Sequence, residues 1–266
     1  MEKQHTITHQ ALARVYQTED TARLAHFLLK EQLNEWELAG KNYEGLANVV
    51  IRRFNFSEFN LFVQFNPERI RSSAAKTDKK SIEARPCFLC RKNLPNQQKG
   101  LLFNDSYLIL VNPFPIFQEH FTIPHLEHKP QRIKGNFQPM LELSKAMHHY
   151  VVFYNGPRCG ASAPDHFHFQ AGIKGFMPID YEYPWLKSRF DTIFETEEIG
   201  IYGMQQYGRH FIALEGNAPE MLTIAFEKLY AKLEEWPHEE EPMMNILAGY
   251  WEDRWRIQVF PRRRHR

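Results

Sequence analysis

Residues 163–172 read Ala-Pro-Asp-His-Phe-His-Phe-Gln-Ala-Gly, which sets His166, His168 and Gln170 at alternate positions with Phe167 and Phe169 between them. Side chains alternate across a strand, so this spacing predicts a strand with the polar groups on one face and the phenylalanines in the core. A neutral imidazole is a good nucleophile toward phosphorus near pH 7. An amide can donate a hydrogen bond to a non-bridging oxygen but carries no proton in acid–base catalysis. The plain alternative is a solvated face on a half-buried strand. Against it stands the preceding turn, Asn155-Gly-Pro-Arg-Cys-Gly-Ala-Ser162, whose glycines, Asn155 and Ser162 suit close approach of backbone N–H groups to an anion.

A second cluster is Cys87-x-x-Cys90, a spacing that suits thiolates around a tetrahedral ion. A redox role fits less well, because the pair runs into a polar turn instead of opening a helix. Further ligands are available from His120, His125 and His128, and buried cysteines with no metal are the simpler alternative. Cations able to meet a charged substrate are Arg52, Arg53, Arg69, Arg71, Lys76 and Lys174, any of which could equally be a solvated surface charge.

These groups need elements to hold them. From an N-cap at Asp20, apolar residues Leu24, Phe27, Leu28, Leu33 and Leu38 predict one helix ending at Gly40. The runs 48–56 and 59–67 read as a hairpin and 68–86 as a basic loop. Three short strands then form a meander over 100–124. A helix over 136–150 begins with Pro139 in its first turn and leads into a strand, the glycine turn and the His-Phe-His-Phe-Gln strand. Two further strands, a periodic helix from Ala218 to Trp236 and a hairpin around Glu252-Asp253 complete the chain. Helix, strand, turn, strand thus occurs twice, the second time with Gln258 and Phe260 in place of the histidines. The expected organisation is an N-terminal helical segment (1–46), a catalytic unit (47–180) and a second, degenerate half (181–266).

The chain has 266 residues, 43% hydrophobic and 14% aromatic, enough for one large core or two modest ones. Its 33 Lys and Arg offset 32 Asp and Glu, so no global basic field points to nucleic acid or to a membrane surface. Neither an apolar signal core nor a membrane-length apolar run is seen, and the expected location is the cytoplasm. Three cysteines are an odd number and do not suggest a disulfide scaffold. The basic end, Pro261-Arg-Arg-Arg-His-Arg266, reads as a solvated tail or as the cut end of a longer protein.

Taken together, Asn155-Gly-Pro-x-x-Gly-Ala-Ser162 and His166-x-His168-x-Gln170 resemble the histidine-triad superfamily. Within it they resemble the branch of galactose-1-phosphate uridylyltransferase, dinucleoside tetraphosphate phosphorylase and the GDP-hexose phosphorylases. The resemblance is specific from about Asn66 to Gly172. It implies an α+β, HIT-like antiparallel sheet with packed helices, in which His168 attacks a nucleotide α-phosphate and Gln170 holds the transferred group. It implies phosphate contacts from Arg69, Arg71 and Lys76, a nucleobase wall including Phe114, Pro115 and Phe117, and substrate contacts from Asn155 and Ser162. It also implies a structural zinc on Cys87, Cys90, His128 and His166. The expected partners are a nucleotide sugar or dinucleoside polyphosphate with a phosphate or sugar phosphate acceptor. A nucleotide hydrolase and a non-catalytic nucleotide binder are the alternatives, and oligomeric state is open, a homodimer included.

Overall fold

The computed structural model describes residues 5–57, 59–66, 79–205, 207–237 and 240–263. In chain order the strands are β1 (Thr6–Ile7), β2 (Val50–Asn55), β3 (Asn60–Phe65), β4 (Gly100–Phe103), β5 (Tyr107–Val111), β6 (His120–Pro124) and β7 (Tyr150–Asn155). They continue as β8 (His168–Ile173), β9 (Asp191–Glu195), β10 (Ile199–Met204), β11 (Phe211–Gly216), β12 (Met244–Trp251) and β13 (Arg254–Pro261). The helices are α1 (His9–Tyr16), α2 (Thr21–Glu35), α3 (Glu37–Glu44), α4 (Lys79–Glu83), α5 (Phe137–Ala146), α6 (Pro178–Leu186) and α7 (Pro219–Glu234). The class is therefore α+β with antiparallel-rich sheet, as expected. No helix among the described residues is long and apolar enough to cross a membrane.

Two compact units interleave along the sequence. The first comprises Met1–Ile51, Gln64–Gln131 and Ser162–Ile173, the second Arg52–Val63, Arg132–Ala161 and Lys174–Arg266. In the first unit the strand order is β1-β4-β5-β6-β8, with β1 parallel to β4 and the remaining pairs antiparallel. All five residues of β5 are buried, and α2 lies against β4 and β5 through Leu24, Ala25, Leu28 and Leu29. Asp20 caps α2 by accepting from the Ala22 and Arg23 N–H groups at 2.9 and 3.3 Å.

The single helix expected to run to Gly40 is instead α2 and α3, separated at Trp36, whose φ of −116° and ψ of 96° are extended. Periodicity could not show this break, because Trp36 is buried and its place is decided by what it packs on. The stretch expected as a basic loop contains α4 from Lys79; its earlier part lies outside the described residues.

The second unit has the strand order β7-β12-β13-β11-β10-β9, all antiparallel. Its β12–β13 hairpin turns at Glu252 and Asp253, both left-handed with φ of 50° and 60°, a geometry that matches the twist of adjoining strands. One core here gathers Ile179, Tyr183 and Leu186 of α6 with Tyr202, Met204 and Phe211 of β10 and β11.

The same unit buries a carboxylate. Glu241 accepts hydrogen bonds from the Ile133 N–H at 3.0 Å and from the Tyr154 hydroxyl, and burial pushes its carboxyl up to about 7. In the unfolded chain a Glu titrates near ~4.3. The folded state therefore holds the extra proton between these values, and stability falls as pH rises from about 4.3 to about 7. The integrated effect is roughly 3 kcal/mol. In urea melts, the stability difference between wild type and Glu241→Gln should shift by that amount toward the variant from pH 4.5 to pH 8. A difference that stays constant with pH would contradict this account.

Candidate active site and metal centre

The ladder between β6 and β8 begins at Pro124↔His168 and runs through Thr122↔Gln170 to His120↔Gly172. Phe169 and Ala171 are fully buried in the core, which turns His168 and Gln170 to the other face. His166 and Phe167 precede the strand, so the expected strand starts later, at His168. The reason lies in backbone pairing. The Phe167 N–H donates to the Lys129 carbonyl at 2.6 Å, and the Phe167 carbonyl accepts from the His125 N–H at 2.9 Å.

Gln131, completely buried, grips the His168 backbone twice. Its amide nitrogen donates to the His168 carbonyl at 3.0 Å and its oxygen accepts the His168 N–H at 2.7 Å. The His168 ring is fixed as well, since Nδ1 lies 2.8 Å from the His166 carbonyl. A carbonyl only accepts, so Nδ1 carries the proton and Nε2 keeps its lone pair. Burial pushes the His168 imidazole down to about 4, which keeps it neutral at pH 7.

His168 and Gln170 line a cavity of about 300 Å³ together with Ser162. Its apolar walls include Trp36, Phe88, Leu94 and Phe114, with Asn112 and Thr122 as polar members. Asn112 is internally held, donating to Thr122 Oγ1 at 2.9 Å and accepting from the Phe114 N–H at 2.9 Å. The break at Trp36 thus has a use: the extended residue delivers an indole to the cavity wall.

Cys87, Cys90, His128 and His166 place one donor atom each within 4.8 Å of one another. Cys87 Sγ is 3.3 Å from His166 Nδ1, and Cys90 Sγ is 3.3 Å from His128 Nδ1 and 3.6 Å from His166 Nδ1. Around a tetrahedral ion with ordinary metal–sulfur and metal–nitrogen distances, sulfur and nitrogen are about 3.5 Å apart, so the donor set fits. His166 Nε2 lies 2.8 Å from the His125 carbonyl and must donate to it, which leaves Nδ1 unprotonated toward the sulfurs. Burial pushes the Cys87 thiol up to about 11, a cost that a bound dication would reverse. Arg85 pairs with Asp165 at 3.2 Å beside this cluster and stacks 4.7 Å over the Phe88 ring.

Arg69, Arg71 and Lys76 lie outside the described residues. Asn155 belongs to the second unit, where its oxygen accepts from Asn245 at 2.7 Å. Lys174, also there, donates to the Tyr250 carbonyl and stands 4.0 Å over the Trp251 ring. Phe117 is buried over Gly172, where a Cβ would come within 2.7 Å of its ring. Gln131, Trp36 and Phe88 carry no local signal of their place; Phe88 is visible only as a residue inside the Cys-x-x-Cys.

A search of curated protein sequences finds no match. Among solved structures, a yeast Ap4A phosphorylase in complex with AMP aligns with a TM-score of 0.53 at 20% identity, over 88% of this chain and 80% of that one. The same enzyme in complex with Ap4A aligns at 0.53 and 18%, over 86% and 79%. A DUF4931 family protein from Bacillus cereus aligns at 0.46 and 15%, over 62% and 85%. The fold is therefore the HIT-like fold of the Ap4A phosphorylase, in keeping with the resemblance carried by the His-x-His-x-Gln motif. Residues 28–173, more than half of the chain and the span from the middle of α2 to the end of β8, match the family described as Domain of unknown function (DUF4922), and the chain belongs to that family.

Proposed function

We propose that this protein is a nucleotidyltransferase or phosphorylase acting on a nucleotide sugar or dinucleoside polyphosphate through a nucleotidyl–His168 intermediate. The observation that carries the reading is the His168 imidazole, buried, neutral, and held by the His166 carbonyl so that Nε2 presents its lone pair. In the first step Nε2 attacks the α-phosphorus, a P–N bond forms, and the P–O bond to the leaving sugar phosphate or nucleoside polyphosphate breaks with its electron pair on oxygen. In the second step an oxygen of phosphate or of a sugar phosphate attacks the same phosphorus, and the P–N pair returns to His168.

Gln170 offers hydrogen bonding to the transferred group but no proton, which favours leaving groups that are stable as anions. A cavity of about 300 Å³ with aromatic walls suits a nucleoside, with Phe114 and Trp36 against the base and Ser162 near the phosphate. Arg69, Arg71 and Lys76 are the candidates for the anionic end of the substrate, and Asn155 for a further substrate contact. The yeast phosphorylase, crystallised with AMP and with Ap4A, supports this substrate class through its fold.

Zinc is the metal that the Cys2His2 donor set fits best. Held by four protein ligands, it would supply a fixed link between the Cys87–Cys90 turn and the entry to β8 and leave no position open for water. Cys87, Cys90, His128 and His166 would then hold the cavity wall at Phe88 in place.

The reaction is tested by incubating the protein with α-³²P-labelled Ap4A, ADP-glucose and GDP-mannose, then quenching. Acid-labile, base-stable label should appear on wild type and be absent from His168→Gly. Equal labelling of both proteins, or none on either, would overturn the reading. Product yield should rise with added phosphate or sugar phosphate; yield independent of both marks a hydrolase. Gln170→Ala should retain labelling while turnover drops roughly 100-fold. Protein purified without chelator should contain stoichiometric zinc by mass spectrometry, and Cys87→Ser should lose it and melt earlier. Zinc-free wild type would remove the metal proposal.

A further inference from the structure

His120 occupies a position that the proposed chemistry does not by itself explain. It is fully buried on β6, directly opposite Gly172 and diagonal to Gln170. Diagonal neighbours on one face of an antiparallel pair are within reach of long side chains. Glycine at 172 leaves its space to the Phe117 ring, which meets the His120 ring edge-on with centroids 5.1 Å apart. The imidazole thereby leans toward Gln170, and its Nε2 is 3.0 Å from Gln170 Oε1.

The other ring nitrogen determines what this contact means. The backbone N–H of Ile116 donates to His120 Nδ1 at 3.3 Å. A backbone N–H can only donate, so Nδ1 is unprotonated and the proton of the neutral ring is on Nε2. Nε2 must then donate, and its partner must be the amide oxygen of Gln170. With its oxygen held, Gln170 has its amide nitrogen as the polar group available to the cavity that it lines.

We infer that His120 is the positioning residue that sets the amide of Gln170 with its NH2 group toward the transferred phosphoryl. This rests on the proposed nucleotidyl transfer for its consequence and on the hydrogen-bond direction for its geometry. An amide turned the other way would present an oxygen to phosphate oxygens and repel them. The backbone of His120 is braced in turn by α3, where the Tyr43 hydroxyl donates to the His120 carbonyl at 2.9 Å.

Two measurements test the inference separately. Nitrogen NMR of histidine-labelled wild-type protein, with His120 assigned through His120→Gln, should show protonated Nε2 and unprotonated Nδ1 at pH 7. Protonation at Nδ1, or an imidazolium, would overturn the inference whatever the enzyme's activity. In transfer assays with ³²P-labelled Ap4A and inorganic phosphate, His120→Phe should lower kcat roughly 10- to 100-fold with KM nearly unchanged. His120→Gln, which keeps a donor and an acceptor, should recover most of that loss. In a Gln170→Ala background, His120→Phe should cost almost nothing further, since its effect passes through the missing amide. Additive losses would assign His120 a role independent of Gln170 and refute the inference. If wild type transfers nothing from any labelled donor, the functional reading fails while the tautomer measurement still decides the geometry.

Discussion

The site depends on a change of backbone partner just before β8. The Phe167 carbonyl continues the β6 ladder one residue beyond Pro124↔His168 by accepting from the His125 N–H, whereas the Phe167 N–H leaves it for the Lys129 carbonyl, and from His168 onward the chain is paired with β6. At that change the His166 carbonyl is left facing the ring of the residue two positions on, and it takes the proton-bearing Nδ1 of His168. One hydrogen bond thus settles tautomer and ring direction together. Gln131 makes the arrangement rigid, because an amide that pairs both the N–H and the carbonyl of His168 substitutes for a ladder partner and satisfies two buried backbone groups.

The same short segment carries His166, a member of the Cys2His2 group that could hold a metal. His166 reaches the cysteines with Nδ1 and the His125 carbonyl with Nε2, so its ring is fixed at both nitrogens. Leu89 and Cys87 pack with Ala163, the residue after Ser162, while Phe88 and Leu89 reach into the cavity wall. The Cys-x-x-Cys turn, the approach to β8 and the cavity are therefore mechanically continuous within the first unit. Displacing the turn would displace the cavity wall proposed to stack on a nucleoside.

What the sequence made legible is what short periods encode. The alternation His-Phe-His-Phe-Gln announced its buried and its polar faces, and Phe169 and Ala171 occupy the core for the reason that alternation gives. The Asp20 cap, the β4–β5–β6 meander and the β12–β13 hairpin were likewise local. Gln131 was invisible, since nothing in Lys-Pro-Gln-Arg marks a glutamine that will bind a backbone 37 residues away. Trp36 was misread as helical because periodicity registers that a residue is apolar and not which cavity it will enter. His120 was visible only as a spare metal ligand, and its ring is engaged instead by Ile116 and Gln170.

The pairing of His120 with Gln170 also bears on why an amide can serve where an imidazole is the obvious acid. An imidazole at position 170 could deliver a proton to a departing basic group, but its hydrogen-bonding face would change whenever it did so. An amide keeps the same face throughout the two displacements, provided that something prevents it from flipping. The Ile116 N–H, His120 and Gln170 form a chain in which each donor direction is dictated by the one before it, starting from a backbone group that has no choice. In the proposed reaction such a chain would make the amide a fixed donor toward phosphoryl oxygens in both steps. That constancy is what reversible transfer between two anions requires, because forward and reverse displacement at the same phosphorus must find the same electrostatic environment.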